Sequence, residues 1–146
     1  KLAAIREKLV ELTQGMTFGY KYTGKVYREI GMQNSDFGGM ENVGNTTITA
    51  NRIMPFPEMT DGSFEYMVRV KVHEYYHNLN GSEVTGWSPF EIWLNEAVTV
   101  YIEEKYHAFL FGEEYCRLQT VLGLLQGHRS AGDQPVCLPP EDDRVA

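Results

Sequence analysis

Val72-His73-Glu74-Tyr75-Tyr76-His77-Asn78 is the stretch on which the reading of this chain turns. His73 and His77 stand four residues apart, and on a helix that spacing stacks two imidazoles on one face, within reach of a single metal ion. The flanks support a helix. Phe64, Met67, Val68, Val72, Tyr75, Tyr76 and Leu79 recur at helical spacing, Asp61 or Ser63 can serve as N-cap, and Asn80-Gly81 supplies a stop. Glu74 is then rotated by about 100 degrees from His73. That sets its carboxylate beside the metal, near a bound water, rather than among the ligands.

Two imidazoles do not make a catalytic metal site, and such a pair occurs by chance on ordinary helices. The third ligand is read further along. Ser88-Pro89-Phe90-Glu91 combines a capping box with proline at the first helical position. Phe90, Trp93, Leu94, Ala97, Val98, Tyr101 and Ile102 repeat at helical spacing from there to about Tyr106. Glu96 lies on this second helix after an 18-residue gap from His77, and the intervening Asn80-Gly81 and Gly86 let the chain turn back. Two neutral imidazoles and a carboxylate suit zinc, with the fourth position left to water. Glu74 is the corresponding base.

Upstream lie a mixed, β-tolerant segment (25–33), a glycine-rich turn (Phe37 to Asn42) and a β-branched run, Asn45-Thr46-Thr47-Ile48-Thr49-Ala50, that reads as a strand. Residues 1–14 have helical periodicity, with Gly15 as a stop. A further helix is expected from Glu113 to Gly127, with Tyr115, Leu118, Leu122 and Leu125 on one side, followed by an aperiodic tail. His107 and His128 flank that helix and read as surface or capping histidines.

With these elements placed, the sequence is recognisable. HEYYHN, the 18-residue gap and Trp93-Leu94-Asn95-Glu96-Ala97 resemble the aminopeptidase N family of gluzincin metallopeptidases, and Gly38-Gly39-Met40-Glu41-Asn42 matches that family's G-x-M-E-N motif. The resemblance runs from about Lys1 to about Pro140. It implies that His73, His77 and Glu96 bind one zinc ion and that Glu74 is the catalytic base. It further implies that Glu41 binds the substrate's free α-amine, that the Gly38-Gly39-Met40 backbone pairs with the substrate main chain, and that Met40 touches the first side chain. A carboxylate on a glycine-rich edge can accept hydrogen bonds from an ammonium; without the resemblance, Glu41 would read as a solvated loop residue.

The implied fold is α+β and mostly helical, the zinc-bearing part of a thermolysin-like catalytic domain. Residues 1–60 hold a helix and a β edge with the GGMEN motif, 61–127 the zinc-binding helices, and 128–146 a loop or tail. The implied activity is zinc-dependent hydrolysis of the N-terminal peptide bond of unblocked peptides. A gluzincin endopeptidase, an epoxide-hydrolysing relative and a catalytically silent zinc-stabilised interaction module are the alternatives, and the presence of Glu74 speaks against the last.

Three features depart from the family pattern. Ala97 replaces a common glycine. Val100 stands where an Asp often orients a histidine, with Thr99 as the nearest polar group. The oxyanion-stabilising tyrosine is expected beyond this region, so Tyr101, Tyr106 and Tyr115 read as packing residues; Tyr75, Tyr76 and Trp93 read as core.

Bulk properties set the outer bounds. The 146 residues, 42% hydrophobic and 23% charged, suit one soluble domain. A net charge of −7 with scattered basic residues does not support a nucleic-acid partner. No apolar run approaches the roughly 18–20 residues of a membrane span. Both ends read as cuts in a longer protein, whose remaining domains would be partners of this part. Cys116 and Cys137 read as free thiols. The compartment stays open, with the cytoplasm slightly favoured.

Overall fold

A computed structural model of the chain describes residues 22–33, 39–50 and 54–131. The expected helix at 1–14, Gly38, Cys137 and most of the tail lie outside these residues.

Strands β1 (Arg28–Met32), β2 (Gly39–Met40) and β3 (Asn45–Thr49) form one sheet in the order β1-β3-β2. Strand β1 runs parallel to β3, from Arg28 opposite Asn45 to Met32 opposite Thr49. Strand β2 is antiparallel to β3, with Gly39 opposite Ile48 and Met40 opposite Thr47. Alternation along β3 turns Thr46 and Ile48 inward, and both are fully buried. Gly39 and Met40 of the glycine-rich motif thus form one edge of the sheet.

Helix α1 spans Asp61–Tyr76. Its N-cap is Thr60 rather than Asp61 or Ser63: the Thr60 hydroxyl accepts a hydrogen bond from the Ser63 backbone N–H at 3.2 Å. Asp61 sits inside the first turn instead, where its charge complements the helix dipole. Beyond His77 the chain coils through a tight loop in which Gly81, at φ 137°, holds a conformation that L side chains rarely adopt. Ser88 and Glu91 then close the expected capping box over a 3-10 turn, Pro89–Glu91, that runs straight into helix α2, Ile92–Phe111. Gly112 at φ 96° breaks it. Helix α3 follows from Glu113 to Ala131, four residues past Gly127.

The core is the seam between α1 and α2: Met67, Val68, Val72 and Tyr76 pack with Ile102 and Tyr106. Side-chain pairs show how the helices run. His77 lies by Thr99, His73 by Glu103, and Glu65 by His107, so residue numbers fall along one helix as they rise along the other. The two are antiparallel, which carries Glu96 back to the end of α1.

The expected inner face of α2 requires correction. Of its seven apolar positions only Ile102 is buried, while Trp93, Leu94, Val98 and Tyr101 are each 40–49% exposed. Trp93 is not a core residue among the described residues. The side turned to α1 is Thr99, Ile102 and Tyr106, because that side must also carry the polar residues facing His73 and His77. Leu118, Leu122 and Leu125 of α3 are likewise exposed. No helix among the described residues is long and apolar enough to cross a membrane.

Candidate metal centre

The last turn of α1 presents His73 and His77 in a T-shaped arrangement, ring centroids 4.6 Å apart. Their Nε2 atoms approach to 3.0 Å. From the first turns of α2, Glu96 brings one carboxylate oxygen to 3.1 Å from His73 Nε2 and the other to 3.4 Å from His77 Nε2. The three residues read as ligands in the sequence are thus brought together in space.

The opposite nitrogens fix the tautomers. His77 Nδ1 lies 2.6 Å from the Asn80 carbonyl oxygen, which can only accept, so Nδ1 carries the proton. His73 Nδ1 lies 3.1 Å from a Glu103 carboxylate oxygen, and the same reasoning puts a proton there. Both Nε2 lone pairs therefore point into the space shared with Glu96. Three acceptors converge with no donor between them, an arrangement that only a cation or an added proton relieves. In a tetrahedral zinc site, ligand atoms at about 2.0–2.1 Å from the ion lie about 3.3 Å from one another, and the separations here bracket that value. The residues fit zinc.

Protonation follows the same logic. Burial by itself pulls the His73 imidazole down, but the hydrogen bond to Glu103 and the charges of Glu103, Glu74 and Glu96 outweigh it, so its pKa is raised.

Glu74 is 6% exposed, and its Oε2 is buried with no hydrogen-bond partner. Burial pushes its carboxyl up to about 7; the neighbouring His73 opposes this, and Glu41, Glu96 and Glu103 reinforce it. Part of the burial comes from β2. A Cβ on Gly39 would stand 2.5 Å from Glu74 Oε1, so the bare backbone lies directly against this carboxylate. Glu41 reaches the same region from the end of β2, with a carboxylate oxygen grouped within 4.8 Å of ligand atoms of Glu74 and His77. Met40 is half-exposed at the sheet edge.

Three contributors were missed in the sequence. Val100 orients nothing: Glu103, one turn further along α2 and also held by Arg69, bonds His73. Its seven-residue spacing from Glu96 puts both on one face of the helix, a signal that was available. His77 is held by a backbone carbonyl, which no side-chain pattern reveals, with Thr99 at 3.4 Å beside it. Asn78 is buried at 2% exposure. His107 also needs correction: it is buried in α2 and pairs with Glu65, which also accepts from the Tyr115 hydroxyl at 2.8 Å.

The model of the peptidase family M1 domain matches residues 4–132. The chain belongs to that family. Peptidases of family M1 are zinc metallopeptidases. The M1 chain is 29% identical over 108 residues to an aminopeptidase N of Caulobacter vibrioides, covering 73% of this chain and 12% of that protein. It is 31% identical over 123 residues to leucine aminopeptidase 2 of Emericella nidulans, covering 84% and 18%. It is 32% identical over 118 residues to a leukotriene A-4 hydrolase homolog of Botryotinia fuckeliana, covering 80% and 17%. The chain thus spans less than a fifth of the length of these relatives.

Proposed function

We propose that this chain is the metal-binding part of a zinc-dependent aminopeptidase, which hydrolyses the N-terminal peptide bond of unblocked peptides. The observation that carries the proposal is the convergence of three acceptor atoms, at 3.0, 3.1 and 3.4 Å, beside a buried carboxylate with an unpaired oxygen. His73 and His77 would hold the ion through Nε2 and Glu96 through its carboxylate. Zinc bound there supplies a Lewis acid for the scissile carbonyl and lowers the pKa of water to about 7. Glu74 accepts a proton from the attacking water and passes it to the leaving amine, and its burial favours the protonated form from which the second half of that transfer starts. Glu41 binds the substrate ammonium, and the β2 edge, with Gly38 before it, offers main-chain groups to the substrate. Met40 borders the first side chain. A site anchored on a free amine excludes internal peptide bonds. Other parts of the protein would add substrate contacts, so the chain by itself binds zinc and turns over poorly.

Elemental analysis of the chain, purified without chelator, tests the metal reading. About one zinc per chain is expected, lost in His77→Ala; a folded chain without metal would contradict it. In the full-length protein, Glu74→Gln should keep the zinc and lose on the order of 10²–10⁴-fold in turnover. Unchanged turnover would remove Glu74 from the mechanism. The relative named as a leukotriene A-4 hydrolase homolog supports a second reading, hydrolysis of an epoxide at the same centre. Turnover of an epoxide fatty acid by a protein that leaves unblocked dipeptides intact would select it.

A further inference from the structure

Asn78 follows the second histidine and is 2% exposed, yet neither the metal centre nor the apolar core calls for an amide there. Burying an amide is costly unless its groups are bonded. Both are. The side-chain oxygen accepts from the Gly44 backbone N–H at 3.0 Å, and the side-chain nitrogen donates to the Tyr75 carbonyl at 2.7 Å. These partners also fix which way the amide faces, since Gly44 offers a donor and Tyr75 an acceptor.

The Gly44 bond joins residues 34 apart in sequence, linking the end of α1 to the turn between β2 and β3. Gly44 stands at φ 69°, and its carbonyl accepts from Arg28 N–H at 2.9 Å, so the link extends to β1. Asn45 N–H bonds the Asn42 carbonyl at 3.0 Å and closes the turn. Glu41 is therefore held from two sides. Before it, Met40 pairs with Thr47 in the sheet; after it, the 42–45 turn is pinned to the residue next to His77. Its carboxylate oxygen arrives where a Cβ on Gly81 would stand only 3.1 Å away, with His77 Nδ1 at 3.2 Å from the same point.

We propose that Asn78 is a positioning residue that fixes the spacing between the Glu41 carboxylate and the metal-facing end of α1. It is the ruler that sets how far a substrate's ammonium lies from its reacting carbonyl. This rests on the reading of Glu41 as the amine anchor. A carboxylate misplaced by about an ångström forfeits much of an oriented contact, so the effect should fall on amine recognition and spare the metal.

The test uses the full-length protein and two inhibitors, an α-amino-acid hydroxamate and the same hydroxamate without its amine. Both engage the metal; the ratio of their inhibition constants reads the amine anchor alone. In Asn78→Ala the amine's advantage should shrink about tenfold, with the des-amino compound and the zinc content unchanged. Asn78→Asp keeps an acceptor for Gly44 N–H but turns its second oxygen on the Tyr75 carbonyl, so it should retain part of the advantage, and more than Asn78→Ala does. A ratio within twofold of wild type in Asn78→Ala overturns the proposal, as does equal weakening of both inhibitors. Where the alanine variant does not fold, Asn78→Ser, too short to reach Gly44, replaces it; the same ratio in Ser and Asp variants again overturns the proposal. Glu41→Ala is run alongside. If it leaves the ratio unchanged, the anchor reading itself fails; if it abolishes the advantage while Asn78→Ala does not, only the role of Asn78 fails.

Discussion

Replacing Glu103 by alanine removes the carboxylate that bonds the outward-facing nitrogen of His73. Its Oε2 lies 3.1 Å from His73 Nδ1, and its side chain is 11% exposed, so the bond is charge-assisted and poorly screened. Hydrogen bonds of this kind contribute about 1.5–3 kcal/mol. At about 1.4 kcal/mol per factor of ten, that corresponds to roughly 10–100-fold in zinc affinity, the range found when partners of metal-bound histidines are removed. The other partner of Glu103, Arg69, has a side chain 33% exposed and can turn to water, so the substitution strands no buried charge. The variant should therefore stay folded, and the loss should appear in metal binding. Competition against a chromophoric zinc chelator at fixed pH reads it directly, with circular dichroism as the check on folding. Glu103→Gln keeps an oxygen facing Nδ1 and should lose tenfold or less. If the alanine variant folds and binds zinc as tightly as wild type, Glu103 does not orient His73 and the tautomers assigned above lose their support.

Other outcomes follow from the same geometry. Zinc at one hundred times its dissociation constant should stabilise the chain by about 2.7 kcal/mol through mass action, visible as a rise in melting temperature that is absent in His77→Ala. The metal-free chain should lose stability as pH rises through the interval from about 4.5 to 7 and above. Glu74 and His73 are both raised on folding, so each favours the folded state while protonated and ceases to as it deprotonates. Urea titrations with chelator at pH 5 and pH 8 check this, and equal or greater stability at pH 8 would contradict it. Two glycines should respond oppositely to alanine. Gly123 lies within α3 with open space around it and should gain about 0.5–1 kcal/mol. Gly81, at φ 137° and crowded by Glu41 and His77, should lose more than 1 kcal/mol. Urea denaturation of the two variants decides.

The parts legible in the sequence were those where chemistry and local geometry point the same way. The His73–His77 spacing and the capping box at Ser88 each express one local rule, and each formed where that rule put it, whereas helix α1 ends at Tyr76, ahead of the stop expected at Asn80-Gly81. The inner face of α2 was misread because apolar residues surround most of that helix. Periodicity then cannot say which side meets α1, and the answer lies with the polar residues Thr99 and Glu103. His107 looked like a surface residue because its partner, Glu65, is 42 positions away. Asn78 was hidden for a similar reason: its role depends on a backbone N–H in a distant turn.

The site is unevenly shielded. The side chain of His77 is 2% exposed and that of His73 19%, whereas that of Glu96 is 43% exposed. Traffic of the ion would pass the carboxylate side, where one side chain swinging outward opens the coordination sphere. The two imidazoles stay locked by Glu103 and the Asn80 carbonyl. Loading and stripping would then need no parting of the helix pair, so the chain would stay folded through both.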